Sequence, residues 1–147
     1  MKKSLVIVKV GGKIVEQPET LERLLKDFKA IPGAKLLVHG GGRSATAMAS
    51  RLGIESKMVD GRRITDADML DVVTMVYGGL VNKNIVAKLQ AEGINAIGLT
   101  GTDCNVMQSD KRPVKDIDYG FVGDVKAVNA EFLASLIERS EERRGGK

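Results

Sequence analysis

Leu36-Leu37-Val38-His39-Gly40-Gly41-Gly42-Arg43 reads as a short buried strand that stops at three glycines and restarts as a helix, Ser44 to Leu52. Glycine N–H groups have no side chain in front of them, and a helix start adds its dipole, so such a turn suits an anion. The first apolar run, Ser4 to Val10, ends the same way, in Gly11-Gly12. Two such strands laid parallel bring both glycine turns to one sheet edge. That edge is where open α/β sheets bind ligands.

Outward from this pair, helices and strands alternate. Ser4 to Val10 is mostly branched and apolar, the pattern of a strand covered on both faces. Pro18 and Glu19 open a helix to about Ala30, with Leu21, Leu24, Leu25 and Phe28 on one stripe, and Pro32-Gly33 ends it. Asp60-Gly61 between Lys57–Val59 and Arg62–Thr65 predicts a hairpin. Thr65 is the expected N-cap of the next helix, with Asp66 and Asp68 in its first turn. Gly78-Gly79 interrupts that helix, which implies a kink or close helix packing, and Gly93 is the candidate C-cap. Ile94 to Leu99 is the expected third buried strand. Cys104–Ser109 and Phe121–Val128 form a second hairpin, and Asn129 caps a last helix, Ala130 to Ile137.

The 147 residues suffice for one domain with a core. Hydrophobic residues make up 43%, and no apolar run approaches the roughly 18 residues of a membrane span. Met1-Lys2-Lys3 resembles the start of a leader peptide, but the apolar part after it is short, contains Lys9 and runs into glycines. One cysteine excludes an internal disulfide and a cysteine-based zinc cluster. The net charge of +4 is partly that of the last nine residues, which hold four basic and two acidic side chains. With no Trp, two Tyr and three Phe, stacking platforms for nucleic acid are scarce. Residues 139–147 carry no fold signal and read as a non-native extension or a disordered tail.

Lys9 lies among valines, where its charge is costly unless paired, two residues before a glycine turn. Its ammonium there would neutralise an anion such as a phosphoryl group in transfer; the alternative is an exposed edge strand. The Gly40–Gly42 amides suit a carboxylate or phosphate, although the pattern is neither a Walker A loop nor G-x-G-x-x-G. Arg63 has the planar guanidinium that clamps carboxylates, and alternation puts Arg62 on the other face. For His39 a structural role at the glycine loop is preferred over catalysis. Asp103 and Asp124 are read as turn caps rather than substrate-orienting groups, and Cys104 as a small core residue.

Lys9-Val10-Gly11-Gly12, then His39-Gly40-Gly41-Gly42, then Gly61-Arg62-Arg63-Ile64-Thr65, in this order and spacing, resemble the amino-acid kinase family. Asn82-Lys83, Gly98-Leu99-Thr100-Gly101-Thr102-Asp103 and Gly123-Asp124-Val125 match its later pattern, so the resemblance runs from Leu5 to about Ile137. It implies an α/β fold with an open, mainly parallel sheet sandwiched by helices, of which residues 1–138 form the N-terminal, substrate-binding lobe. The implied activity is ATP-dependent phosphorylation of the side-chain carboxylate of an N-acylated glutamate, a step of arginine biosynthesis. ATP with Mg is the implied co-substrate; a homodimer and a cytoplasmic location are implied with it, and neither nucleic acid nor membrane is. By motif, Lys9 would stabilise the phosphoryl group in flight, and Gly11 and Gly12 would line the phosphate path. Gly41 and Gly42 would give amides to substrate and phosphoryl group, Arg63 would hold the substrate's α-carboxylate, and no residue is assigned to a metal.

In the family an ATP-binding half follows this region, so the resemblance implies a chain that is inactive alone. Thr102-Asp103-Cys104-Asn105 departs from the family's glycine-rich turn, which keeps an N-succinyl substrate open beside the N-acetyl one. The first strand begins almost at Met1, without the extra helix linked in the family to hexamers and arginine feedback; the expectation is a dimer lacking that inhibition. Two further readings stand open. One is a kinase of free aspartate or glutamate, against which Arg63 argues. The other is a non-catalytic small-molecule binding module of the same fold.

Overall fold

The structure, a computed structural model, describes residues 4–145. The leader-like Met1-Lys2-Lys3 lies outside the described residues, as do Gly146 and Lys147. Strands β1 (Leu5–Val10) and β2 (Ala34–His39) pair in parallel, with Val8 beside Leu37 and Val10 beside His39. The first crossover carries a single turn, α1 (Gly12–Val15), and the helix α2 (Pro18–Ala30). Proline at N1 starts α2, because its missing N–H is one that a first turn leaves unpaired anyway. Beyond β2 the chain enters α3 (Gly42–Arg51), two residues earlier than predicted.

The expected hairpin is β3 (Met58–Val59) and β4 (Arg62–Arg63), turning on Asp60 and Gly61 with φ of 49° and 74°. Both central residues are left-handed, as an Asp-Gly two-residue turn requires. Helix α4 (Ala67–Val73) passes into a π-helical segment, Thr74–Val81, and then α5 (Asn82–Ala91). The Gly78-Gly79 interruption is therefore a change of helical period. The N-cap of α4 is Asp66 rather than Thr65: its carboxylate accepts the Met69 N–H at 2.9 Å. Thr65 is already engaged as extended chain, its N–H donating to Tyr119 O and its C=O accepting from Phe121. Gly93, at φ 79°, ends α5 as expected.

One apolar cluster joins Leu21, Leu25 and Phe28 of α2, Ala45 and Ala49 of α3, and Met69 and Val72 of α4. Val76, Val81, Ile85 and Leu89 continue it, and Val8 and Leu37 pack on it from the strands. The opposite face of β1 is open: Ile7 is 62% exposed, so this strand is covered on one face, not on both. Residues 94–100 form no regular element and join no ladder, which corrects the expected third strand. Side chains of α5 take several of their carbonyls instead: Gln90 that of Ala96, Lys83 that of Gly98, and Asn82 that of Leu99.

The second hairpin is β5 (Met107–Lys111) with β6 (Gly123–Val128), antiparallel and exposed along its length. Asn129 caps α6 (Ala130–Gly145) by accepting the Phe132 N–H at 3.2 Å. This helix continues beyond Ile137 to Gly145, through residues read from sequence as tail. Glu and Arg are good helix formers, and no glycine or proline intervenes before 145, so propensity carries the helix without an apolar face. Among the described residues no helix is long and apolar enough to cross a membrane.

Candidate active site

Parallel pairing in register delivers both glycine turns to one end of β1–β2. A methyl group built on Gly12 would lie 3.9 Å from the Gly42 amide nitrogen, so the two turns touch. Gly41 is the N-cap of α3, and no side chain caps that helix. The first amides of a helix have no intrahelical acceptor, and those of α3 start at this sheet edge.

The β3–β4 hairpin brings Arg63 onto this turn while Arg62 stays exposed, as alternation predicts. Arg63 Nη2 donates to Gly42 O at 2.7 Å and to Thr46 Oγ1 at 2.9 Å. Its Nη1 donates to Ser56 Oγ and approaches Met69 Sδ at 3.8 Å. Only the Nε–H is uncommitted among the described residues. A carboxylate held bidentately takes two parallel N–H groups, so Arg63 must release one of these protein acceptors to grip one. Thr46 and Ser56, which share the guanidinium with Gly42, were not singled out in the sequence; short hydroxyl residues carry no spacing signal for such a role.

Lys9 sits beside Val38 on β1 and is exposed. Its charge is hydrated, so the argument from a buried unpaired ammonium does not hold, and the exposed-strand alternative describes its environment. Gly11 is also exposed and accepts the Ile14 and Val15 N–H groups through its carbonyl.

His39 is structural in its contacts. Asn82, buried on α5, donates from Nδ2 to Leu99 O at 3.2 Å and lies 3.0 Å from His39 Nε2. The Leu99 carbonyl can only accept, which fixes the amide orientation and makes His39 Nε2 an acceptor. The imidazole proton is then on Nδ1, 3.1 Å from Gly40 O, so the ring steadies the glycine turn. Lys83 Nζ completes the network, donating to Asn82 Oδ1 and Gly98 O, both at 3.0 Å.

Two of the remaining sequence readings change. Asp103 does cap a turn: its Oδ2 accepts from the Thr100 N–H at 2.5 Å and hydroxyl at 2.7 Å, and these bonds hold its carboxyl below the usual range. Asp124 caps no turn. It lies in β6 and accepts from Arg112 Nη2 at 2.5 Å and Nε at 3.0 Å. That bonding lowers the Asp124 carboxyl and raises the Arg112 guanidinium. Cys104 is exposed rather than in the core, because its φ of 47° turns it out on a left-handed corner shared with Asn105.

A cavity of about 290 Å³ opens beside Arg63, bounded by Arg62, Tyr77, Arg112, Tyr119 and Val122. The Thr65–Gly120 bridge ties its two hairpins together. Tyr77 was missed in the sequence; the only local signal was the glycine pair after it. Its ring lies over Gly41, where an added methyl would meet Cδ1 at 2.8 Å.

A model of the amino acid kinase family matches residues 4–142. An acetylglutamate kinase of Phocaeicola vulgatus is 74% identical over 139 residues, covering 95% of this chain and 54% of that kinase. Those of Parabacteroides distasonis and Methanopyrus kandleri are 74% and 44% identical, over 92% and 90% of this chain. The chain spans about half the length of the curated relatives it matches. Among solved structures, smu.665 of Streptococcus mutans UA159 superposes with a TM-score of 0.73 at 24% identity, covering 92% of this chain and 55% of that one. An N-acetylglutamate synthase of Neisseria gonorrhoeae, complexed with coenzyme A and N-acetyl-glutamate, does so with 0.72 at 19%, covering 93% and 32%. At these identities the likeness is one of fold.

Proposed function

The chain belongs to the amino acid kinase family, and we propose that it forms the acyl-glutamate-binding part of an acetylglutamate kinase, which phosphorylates the γ-carboxylate of N-acetyl-L-glutamate with ATP. The observation that carries this reading is the meeting of the Gly11-Gly12 and Gly41-Gly42 turns, with Arg63 fixed on the second. Phosphoryl transfer needs positioning and charge neutralisation more than a covalent nucleophile. Here the Gly41 and Gly42 amides face the acceptor carboxylate and the phosphoryl group, and Gly11 and Gly12 line the phosphate path. Lys9, on the strand that feeds the first turn, supplies mobile positive charge to the group in flight. Arg63 exchanges a protein acceptor for the substrate's α-carboxylate.

Bound with the nucleotide, Mg would neutralise phosphate charge. Among the described residues no three His, Cys, Asp or Glu side chains gather, so none is assigned to it. A role in arginine biosynthesis, a cytoplasmic location and a homodimer belong to the same proposal.

One observation favours a second reading, N-succinyl-L-glutamate as substrate: Arg112 lines the same cavity as Arg63, and its Nη1, which Asp124 does not use, would meet a third carboxylate.

The test is calorimetric titration of the folded 147-residue chain with N-acetyl-L-glutamate, N-succinyl-L-glutamate and free glutamate. Saturable binding of an acylated form, lost in Arg63→Ala, supports the reading. A folded chain that takes up neither acylated form overturns it.

A further inference from the structure

Tyr77 sits in the π-helical segment between Val76 and Val81, which belong to the core, and packs against the same cluster. A π-turn inside a helix is costly and is common at functional sites. Here it lays the Tyr77 ring across Gly41, with Cδ1 and Cε1 at 2.8 and 3.0 Å from where a methyl on that residue would be. The hydroxyl reaches Gly42, 3.5 Å from the corresponding position. The ring packs on the core, while the residue as a whole is half-buried and lines the cavity that also holds Arg63. Among the described residues nothing hydrogen-bonds the Tyr77 hydroxyl, and no side-chain polar atom is buried without a partner. A phenol held rigidly by its ring, with its O–H open to a cavity and beside a glycine turn, is a pre-placed donor.

We propose that Tyr77 is a substrate-binding residue whose hydroxyl donates a hydrogen bond to the side-chain carboxylate of the bound acyl-glutamate, next to the Gly42 amide. The inference rests on the acyl-glutamate reading above and adds a donor that neither the glycine nor the arginine motif contains. A hydrogen bond to a charged acceptor is worth more than one to a neutral amide. The contribution of the hydroxyl therefore depends on the charge at that end of the ligand.

Four titrations test it: the 147-residue chain and Tyr77→Phe, each with N-acetyl-L-glutamate and with N-acetyl-L-glutamine, which replaces the side-chain carboxylate by an amide. Phenylalanine keeps the ring over Gly41, so folding, checked by circular dichroism, is preserved. The expected result is a loss of about tenfold in affinity for N-acetyl-L-glutamate. For N-acetyl-L-glutamine the expected loss is no more than about threefold. In parallel, ¹³Cζ-tyrosine NMR of the unmodified chain gives two signals. The one absent from Tyr77→Phe should move on adding N-acetyl-L-glutamate. Equal affinities in Tyr77→Phe and the unmodified chain, or equal losses for both ligands, overturn the inference while leaving the site reading intact. If the unmodified chain binds no acyl-glutamate, the site reading falls, and this inference with it.

Discussion

Asn82→Ala is the sharpest test of how the helical layer controls the glycine turn. The substitution removes three hydrogen bonds of a side chain only 5% exposed: to His39 Nε2, to Leu99 O and from Lys83 Nζ. Lysine keeps its bond to Gly98 O and replaces the lost one with water. The imidazole Nε2 and the Leu99 carbonyl lose theirs inside the protein. An unsatisfied polar group costs about 1–3 kcal/mol when buried. Both residues are only half-buried, so the lower part of that range applies to each. The expected destabilisation is then about 2–3 kcal/mol, which for a chain of this size lowers Tm by roughly 10 °C. Urea unfolding followed by circular dichroism measures it. The mechanism has an independent readout, because His39 is the only histidine. ¹⁵N NMR of the imidazole should show the Nδ1–H tautomer in the unmodified chain and a mixture in Asn82→Ala. A cost below about 0.5 kcal/mol, the level of an ordinary surface change, would refute the reasoning. So would an Nε2–H tautomer in the unmodified chain.

Gly41→Ala should destabilise by about 1–3 kcal/mol through overpacking, since the new methyl meets the Tyr77 ring at 2.8 Å. The φ of −174° carries no strain of its own, so adding Tyr77→Ala should remove most of the incremental cost, read in a double-mutant cycle. Leu25→Ala, at a side chain 1% exposed in the centre of the cluster, should cost about 2–5 kcal/mol in the same unfolding assay. The Asp124 carboxyl is held below its ordinary value of 3.8 by the hydrogen bond from Arg112. The unfolded chain therefore binds the proton first, and this contribution is complete above the ordinary value and lost as pH falls toward the lower folded one. Tm of Asp124→Asn should accordingly fall less steeply below about pH 4 than that of the unmodified chain; parallel acid limbs would contradict the pairing.

Much of the site was legible because its signals are local. Glycine runs after apolar strands announce turns where backbone must come close, and Asp60-Gly61 announces a hairpin whose alternation sends one arginine inward. Those patterns depend only on backbone freedom and on the two-residue period of a strand. They sufficed for the α/β class, the parallel pair and the position of Arg63. Other features depend on what packs where, and neighbours in sequence do not encode that. Whether Ile94–Leu99 pairs as a strand is decided by a partner's N–H and C=O groups, and here α5 side chains take several of its carbonyls. Lys9 is hydrated because one face of β1 is open, whatever its apolar neighbours suggest. Asp124 meets Arg112 only because the second hairpin closes, and Tyr77 reaches Gly41 from a π-helical segment, Thr74–Val81, that sequence periodicity does not announce. Sequence determined the turns and the chemistry they present; tertiary packing decided which side chains are desolvated, which are paired, and which donors remain open to a ligand.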